Sequence, residues 1–288
     1  MRDTPGLRFR QTIEAERPLQ VVGVINAYCA RLAERAGFRA LYLSGAGVAN
    51  ASFGLPDLGM TSLPDVVEDA RRITAATDLP LLVDCDTGWG SPLTIARTVR
   101  EMTRAGVAAV HLEDQVDAKR CGHRPGKQLV STEIMVNRLK AAVDARSDAD
   151  FVIMARTDAA AGEGLDAAIE RAARYVEAGA DMIFAEALTD AAQYRRFTQA
   201  LNVPVLANMT EFGHSQLMTV DELRDAGIRL VLYPLTAFRA MSAAAVRVYE
   251  TLRATGTQAG LLSSMQTREA LYDVLDYHSF EARLDPEQ

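Results

Sequence analysis

Short apolar runs alternate with longer amphipathic stretches along most of the chain. Each run has four or five mostly apolar residues with polar residues on either side. Such runs are typical of parallel strands buried on both faces. Between them, apolar residues such as Ile95, Val99 and Met102 recur at helical spacing among Arg and Glu. We therefore predict eight strands, at Val21 to Ile25, Ala40 to Leu43, Leu81 to Asp84, Ala109 to Glu113, Phe151 to Ala155, Met182 to Ala185, Val205 to Asn208 and Leu230 to Tyr233.

A repeated junction supports this count. An Ala-Gly pair precedes four of the strands, with glycine at positions 37, 106, 179 and 227. Glycine just past a helix end adopts the left-handed conformation that stops the helix. Eight strand and helix units in roughly 250 residues predict an α/β fold, the (β/α)8 TIM-type barrel. An open doubly wound sheet is the alternative, but no GxGxxG motif follows the first strand.

The two ends of the chain are less regular than its middle. We expect one domain over residues 1–288, with an N-terminal arm at 1–19 and a C-terminal helical extension at about 256–288. A long helical tract, Ala237 to Thr255, precedes that extension. Because this tail is longer than the closing helix of a barrel needs, we expect it to pack on another subunit.

Composition and charge narrow the classes of function. Of the 288 residues, 49% are hydrophobic and 24% are charged, which fits a folded domain with a full core. The net charge of −7, without a basic run, makes nucleic acid an unsuitable partner. No stretch of 18 apolar residues and no signal-peptide core are present, which predicts a cytoplasmic enzyme without a membrane partner. The three cysteines lack CxxC spacing, so neither a disulfide framework nor a zinc site is expected.

Acidic side chains gather at the predicted strand ends, where barrels of this kind form their active sites. Asp84, Asp86, Glu113 and Glu186 would make an all-oxygen cluster, which suits Mg²⁺ or Mn²⁺ better than zinc. Without a cation, such a cluster would repel itself. Strand alternation should turn Cys85 away from its two aspartate neighbours and into the core.

Other polar residues at the strand ends suggest the ligand. His111 alternates with Glu113 and could lie at the metal or hydrogen-bond a carboxylate. Arg156 ends a strand where its planar guanidinium could bind a carboxylate. Arg239 and Arg268 could add further clamps, although spacing alone favours surface ion pairs for both. A metal with arginines indicates a small polycarboxylate substrate, and the lack of lysine at the strand ends argues against a Schiff-base aldolase.

One loop places a thiol among basic side chains. Cys121 stands within Lys119-Arg120-Cys121-Gly122-His123-Arg124-Pro125-Gly126-Lys127. Nearby cations stabilise a thiolate and can lower the pKa of a cysteine below its ordinary value of roughly 8.5. Glycine and proline make this segment an exposed loop that could close over a bound molecule. A cysteine in this setting is a candidate proton donor.

Several motifs resemble one enzyme family. The matching segments are Leu43-Ser44-Gly45, Gly54-Leu55-Pro56-Asp57, Asp84-Cys85-Asp86-Thr87-Gly88, His111-Leu112-Glu113-Asp114-Gln115, the Lys119 to His123 loop, Met154-Ala155-Arg156-Thr157-Asp158 and Asn208-Met209-Thr210-Glu211-Phe212-Gly213. They resemble the 2-methylisocitrate lyases of the isocitrate lyase and phosphoenolpyruvate mutase superfamily. The resemblance extends from about Pro18 to about Tyr277.

This resemblance implies Mg²⁺-dependent cleavage of (2S,3R)-2-methylisocitrate into pyruvate and succinate, a step of the methylcitrate route for propionate. It implies that Asp84 and Asp86 hold the metal and that Glu113 reaches it through water. It also implies a homotetramer with swapped C-terminal helices. We expect the substrate or its immediate surroundings to be contacted by Ser44, Gly45, Ala46, Gly122, Arg156, Glu186, Asn208, Thr210, Arg239 and Arg268.

Two positions depart from the family pattern. Ala46 stands where Ser-Gly-Gly is common, and Cys85 fills the middle of the usual Asp-Ala-Asp triplet. As a mechanism we expect Cys121 to protonate the succinate carbanion, with Lys119 and His123 tuning its proton affinity. The alternatives are a lyase for isocitrate or another alkylmalate-type acid, an oxaloacetate decarboxylase or hydrolase, and a barrel that only binds metal and carboxylate.

Overall fold

The computed structural model of the chain describes residues 3–122, 124 and 126–284. Its eight strands form one closed parallel barrel in chain order, and β8 returns to pair with β1 through Leu19 opposite Leu230. The predicted (β/α)8 TIM-type barrel is therefore confirmed. The strands are β1 Leu19–Gly23, β2 Ala40–Leu43, β3 Leu81–Asp84, β4 Ala109–Glu113, β5 Val152–Thr157, β6 Met182–Ala185, β7 Val205–Asn208 and β8 Leu230–Tyr233.

Helices cover the outside of the barrel and continue beyond its last strand. Two short stretches depart from α-helical geometry, a π-helix at Val48–Ser52 and a 3₁₀ turn at Ala159–Ala161, and a further 3₁₀ segment spans Ala259–Ser264. The α-helices are α1 Pro5–Ala15, α2 Ala27–Arg35, α3 Gly45–Gly47, α4 Leu63–Thr74, α5 Pro92–Arg104, α6 Thr132–Asp144, α7 Leu165–Glu177, α8 Ala191–Gln199, α9 Val220–Asp225, α10 Thr236–Thr255, α11 Arg268–Leu275 and α12 Tyr277–Glu281.

Six strands have the predicted bounds, whereas β1 starts and ends two residues earlier than predicted. The reason lies at Gly23, where an added Cβ would stand only 1.7 Å from the carbonyl oxygen of Pro234. The chain leaves the sheet there. Asn26 then caps α2 by accepting a hydrogen bond from the backbone N–H of Cys29 at 2.9 Å. The apolar residues after Gly23 therefore belong to the turn into α2.

The apolar residues form two cores, one between sheet and helices and one inside the barrel. Leu41, Val83 and Val110 face the helices, while Leu82 and Met154 fill the barrel interior. Helix α1 completes the inner core, because its Phe9 and Ile13 are buried in the same cluster. The predicted N-terminal arm thus packs against the barrel and contributes to its core.

The four glycines of the repeated junction have the predicted backbone. Their φ angles are +92° at Gly37, +79° at Gly106, +101° at Gly179 and +83° at Gly227. Residues with a side chain rarely adopt this left-handed backbone conformation, so each glycine ends its helix and turns the chain into the next strand. Because every strand of the closed barrel runs in the same direction, the carboxyl ends of all eight strands lie at one face.

The C-terminal segment lies largely on the surface. Helix α10 buries none of its residues within this chain. Helix α11 returns to α2, where the Arg31 side chain donates to the carbonyl of Val274 at 3.3 Å. Among the described helices, none combines the length and apolar character needed to cross a membrane.

Candidate active site

Polar side chains at the carboxyl ends of the strands enclose a small cavity of about 80 Å³. Parallel strands of a closed barrel all end at one face, so residues distant in sequence converge there. Most of the predicted site residues line this cavity or contact its walls. The lining is Tyr42, Ser44, Ala46, Asp57, Asp84, Lys119, Cys121, Gly122, Arg156, Phe184, Glu186, Asn208, Thr210, Leu232, Pro234, Leu235 and Arg239.

Asp84 and Asp86 form an acidic pair beside the backbone of Gly45. The Gly45 N–H donates to Asp84 Oδ2 at 3.1 Å. A Cβ at Gly45 would stand 3.1 Å from Asp84 Oδ2 and 3.2 Å from Asp86 Oδ1, so a side chain there would fill the space that both carboxylates face. Asp86 holds a φ of +46°, a strained value for a non-glycine residue. The predicted contact of Gly45 with the site is thus a backbone contact.

The two aspartates have unlike proton affinities. Burial raises the pKa of Asp84, but the neighbouring His111 and the Lys119 ammonium outweigh burial and lower it to about 2. For Asp86, burial and the charge of Asp84 raise the pKa to about 6. At neutral pH both groups are therefore carboxylates, which is the form that binds a divalent cation.

These residues fit a divalent metal held by few direct ligands. No three His, Cys, Asp or Glu side chains among the described residues are arranged to hold one ion directly. Mg²⁺ usually keeps several waters and needs only one or two protein carboxylates. The buried Glu113 Oε1 has no hydrogen-bond partner, which leaves an acceptor for a metal-bound water. Cys85 is fully buried in the outer core, as predicted, and does not compete for the cation.

His111 lies beneath the acidic pair and bonds to a tyrosine. Its Nε2 is 2.9 Å from the hydroxyl of Tyr42 and 3.6 Å from Asp84 Oδ1. Burial lowers the pKa of His111 to about 4, so the imidazole is neutral at pH 7. The hydrogen bond of His111 thus goes to Tyr42 and not to a carboxylate, and a place for His111 beside the metal stays a prediction.

Arg156 is surrounded by carboxylates. Its Nε lies 2.9 Å from Asp158 Oδ2, and its other nitrogens lie 3.4 Å from Glu113 Oε2 and 3.2 Å from Glu186 Oε2. The guanidinium also lies over the ring of Phe184, 5.1 Å from its centroid. The bidentate partner of Arg156 in this structure is thus Asp158, and the guanidinium is fixed at the edge of the cavity by its own chain.

The basic loop is anchored by ion pairs with acidic residues. The buried Lys119 ammonium pairs with Asp57 and lies 2.8 Å from Asp86 Oδ1. Burial lowers the pKa of Lys119, but the charges of Asp86 and Glu113 outweigh it and raise the pKa well above its ordinary value. The charge of Lys119 therefore neutralises part of the negative charge of these carboxylates. An effect of Lys119 on the pKa of the Cys121 thiol stays a prediction.

The rest of the loop places Cys121 and Gly122 at the cavity. Cys121 is half-buried and lines it. Gly122 packs directly on the ion pair of the site, since an added Cβ would stand 2.4 Å from Arg156 Nη2 and 2.6 Å from Glu186 Oε2. Arg124 is exposed, and His123 lies outside the described residues.

The remaining predicted residues differ in their distance from the site. Asn208 and Thr210 are buried at the cavity wall, and the Asn208 amide is 3.4 Å from the Glu186 carboxylate. Arg239 lines the cavity but is 45% exposed and pairs with Glu211. Arg268 is exposed at the start of α11 and does not line the cavity of this chain.

Three residues of the site lay outside the predicted set. Asp57 pairs with Lys119, Tyr42 bonds to His111, and Asp158 holds Arg156. Asp57 stands in one of the motifs that carry the family resemblance, and Asp158 follows a strand end, so both carried a signal in the sequence. Tyr42 lies inside an apolar strand and carried none.

Known proteins are similar to this chain in sequence and in architecture. The sequence model of the phosphoenolpyruvate phosphomutase family matches residues 9–253. A curated 2-methylisocitrate lyase of Shewanella oneidensis is 62% identical over 285 residues, covering 99% of this chain and 98% of that protein. The crystal structure of a 2,3-dimethylmalate lyase superposes with a TM-score of 0.91 at 35% identity, covering 100% of this chain and 97% of that one. A phosphonopyruvate hydrolase in complex with oxalate and Mg²⁺ superposes with a TM-score of 0.86 at 26% identity, covering 99% of each chain. The chain therefore belongs to the phosphoenolpyruvate phosphomutase family.

Proposed function

We propose that this chain is a carbon–carbon lyase that cleaves (2S,3R)-2-methylisocitrate into pyruvate and succinate, in the methylcitrate route of propionate breakdown. One observation supports this most: a single cavity is lined by the Asp84 carboxylate, by the thiol-bearing Cys121 and by Lys119, whose ammonium lies 2.8 Å from Asp86 Oδ1. A protein that only bound metal and carboxylate would have no use for that thiol. The 62% identity to a 2-methylisocitrate lyase favours this substrate over the other acids of the family.

Asp84 and Asp86 would hold Mg²⁺, or Mn²⁺ in its place, with Glu113 contributing through a water molecule. The ion, when bound, supplies Lewis-acid stabilisation of negative charge on the substrate hydroxyl and its neighbouring carboxylate. Burial of both aspartates strengthens their attraction for a cation, because the interior screens charge less than water does. A family relative solved with Mg²⁺ and oxalate supports this choice of metal.

The side chains of the cavity would orient the substrate and supply one proton. Ser44, Asn208 and Thr210 offer hydrogen-bond donors to its carboxylates, and Arg156 supplies a fixed positive charge. A base takes the hydroxyl proton, the oxygen forms the carbonyl of pyruvate as the carbon–carbon bond breaks, and the electrons of that bond pass to the carbon that becomes succinate. The Cys121 Sγ–H then gives its proton to that carbon, and the thiolate regains a proton before the next turnover.

We also propose that the enzyme is a cytoplasmic homotetramer in which C-terminal helices are exchanged between subunits. Helix α10 supports this, because it buries no residue within its own chain and exposes Met241, Val246 and Tyr249. Exposed apolar side chains on one helix indicate a surface that another chain covers.

The test is product release from four acids with purified protein. Pyruvate is measured from 2-methylisocitrate, 2,3-dimethylmalate and oxaloacetate, with Mg²⁺ or with EDTA, while glyoxylate is followed for isocitrate and oxalate for hydrolysis of oxaloacetate. We expect 2-methylisocitrate to give the highest kcat/KM and EDTA to abolish turnover. Cys121→Ser should lower kcat by about 10²- to 10⁴-fold, the usual contribution of a positioned proton donor.

Cys29→Ala is the matched control, because Cys29 lies in the outer core away from the cavity. It should leave kcat within about twofold of the unaltered protein. Faster turnover of 2,3-dimethylmalate would move the substrate assignment to the alkylmalates. Oxaloacetate turnover that is indifferent to Cys121 would replace the lyase by a decarboxylase or hydrolase.

A further inference from the structure

Lys127 links the loop that carries Cys121 to the rigid end of strand β5. Its ammonium donates to the carbonyl oxygen of Gly122 at 2.6 Å and to Asp158 Oδ1 at 2.7 Å. The Lys127 side chain is 7% exposed, and the Asp158 side chain is fully buried. Hydrogen bonds with a charged donor are shorter and stronger than neutral ones, and partial burial protects this ion pair from screening by salt.

Asp158 is a firm anchor for this contact. Its backbone N–H donates to Asp114 Oδ1 at 2.9 Å, which fixes the chain after β5. Its carboxylate also accepts from Arg156 Nε at 2.9 Å and from Arg156 Nη2 at 3.2 Å. The Asp158 carboxylate therefore binds both Arg156 and Lys127, the lysine that donates to the Gly122 carbonyl.

The position of Gly122 shows what the hydrogen bond from Lys127 controls. Gly122 packs so closely on Arg156 and Glu186 that a single added carbon would collide with both. Its carbonyl is the group that Lys127 holds, and Cys121 is the preceding residue. A shift of the Gly122 carbonyl would therefore move the thiol relative to Arg156.

We propose that Lys127 is a positioning residue, which fixes the Cys121–Gly122 segment against Arg156 through its contacts with the Gly122 carbonyl and Asp158. This role rests on the proposed lyase function, in which Cys121 gives a proton to the substrate. Lys127 is absent from the lining of the cavity that Cys121 lines, and it lies instead with Gly122 and Asp158 along a neighbouring cavity. A misplacement of about 1 Å can cost 10²-fold in rate, so the hydrogen bond from Lys127 to the Gly122 carbonyl is a sensitive point.

The variant Lys127→Met should fold. It keeps the length and apolar stem of lysine, and Asp158 retains the guanidinium of Arg156 as its partner. Lys127→Arg keeps the charge and provides a second variant in case methionine perturbs the fold. Lys140→Met is the matched control, because Lys140 is exposed on α6.

Alkylation of Cys121 by iodoacetamide gives a measure that does not depend on activity. Cys29 and Cys85 are buried, and burial raises the pKa of both thiols, so modification at Cys121 can be followed separately by peptide mass spectrometry. Removing the positive charge of Lys127 would, by itself, favour the thiol over the thiolate and slow alkylation. Faster alkylation in Lys127→Met therefore reports exposure of the segment.

We expect Lys127→Met to alkylate at least threefold faster than the Lys140→Met control and to lose 10- to 100-fold in kcat, about the cost of a small misplacement. KM should change by less than about threefold, and Lys127→Arg should fall between the two variants. Alkylation at the control rate would overturn the proposal whatever the activity. Faster alkylation with unchanged kcat would overturn the positioning role. If the unaltered protein cleaved none of the acids, the proposed function would fail, while the alkylation rates would still decide whether Lys127 holds the segment.

Discussion

Gly122 has no room for a side chain, although its backbone conformation would tolerate one. A Cβ there would stand 2.4 Å from Arg156 Nη2 and 2.6 Å from Glu186 Oε2, two groups held by further ion pairs. We predict that Gly122→Ala displaces the loop and lowers kcat by about 10²-fold or more. Steady-state kinetics with 2-methylisocitrate measure this effect.

Gly162 provides the control for this substitution. It follows the 3₁₀ turn after β5, and a Cβ there would meet nothing within 4 Å. Gly162→Ala should leave kcat unchanged within twofold. Equal activity of the two alanine variants would show that the close packing of Gly122 has no part in turnover.

Single residues also mark the limit of what the sequence could predict about the site. Strand alternation predicted that Cys85 faces the core, because that rule depends only on neighbours along the chain. The same local reasoning assigned Lys119 to Cys121, two residues away. In the fold, Lys119 pairs with Asp57, which is 62 positions distant and could not be recognised as its partner from spacing, while its effect on Cys121 stays a prediction.

At the scale of elements, Asp114 ties the end of β4 to β5 and α7. Its carboxylate accepts hydrogen bonds from Thr157 Oγ1 at 2.8 Å, the Asp158 N–H at 2.9 Å and the Tyr175 hydroxyl at 2.9 Å. Asp114→Ala would leave these buried donors without their acceptor. We predict a loss of about 3 kcal/mol in the free energy of unfolding, since an unsatisfied buried polar group costs about 1 to 3 kcal/mol.

Urea denaturation followed by circular dichroism measures this loss. Tyr175→Phe removes one of the three donors and should cost only about 1 kcal/mol. The double variant should lose less than the sum of the two, because both substitutions break the same bond. Strictly additive losses would mean that Asp114 does not join these elements.

Most elements were predictable because their signals are local. Apolar runs fixed six strands, and glycine at helix ends fixed four junctions. The bounds of β1 were wrong because they depend on a contact with Pro234, more than 200 residues away. The contribution of α1 to the inner core could not be predicted for a similar reason, since Phe9 packs against strands that follow it in the chain.

For the molecule as a whole, the exposed face of α10 is the feature that a single chain does not explain. Val246, Tyr249 and Leu252 follow one another at helical spacing and are all exposed. We predict that Val246→Glu together with Tyr249→Glu lowers the mass in solution from a multiple of 31.3 kDa toward that of one chain. Light scattering coupled to size exclusion measures this, with Lys140→Glu on α6 as the control. An unchanged mass would place the subunit contacts elsewhere.

The ion pairs of Lys119 have a consequence for the stability of the protein when the proposed Mg²⁺ is absent. The carboxylates near the cavity would repel one another in an empty site, yet a buried ammonium already lies between Asp57 and Asp86. Lys119 thus serves as a built-in counter-ion, and chelation should remove activity but leave the barrel folded.

We expect EDTA treatment to shift Tm by only a few degrees and added Mg²⁺ to restore full turnover. In Lys119→Met, where this counter-ion is missing, the chelated protein should instead lose stability and regain little activity. At low magnesium concentration the protein would therefore stay folded without the ion and could bind it again when the concentration rises.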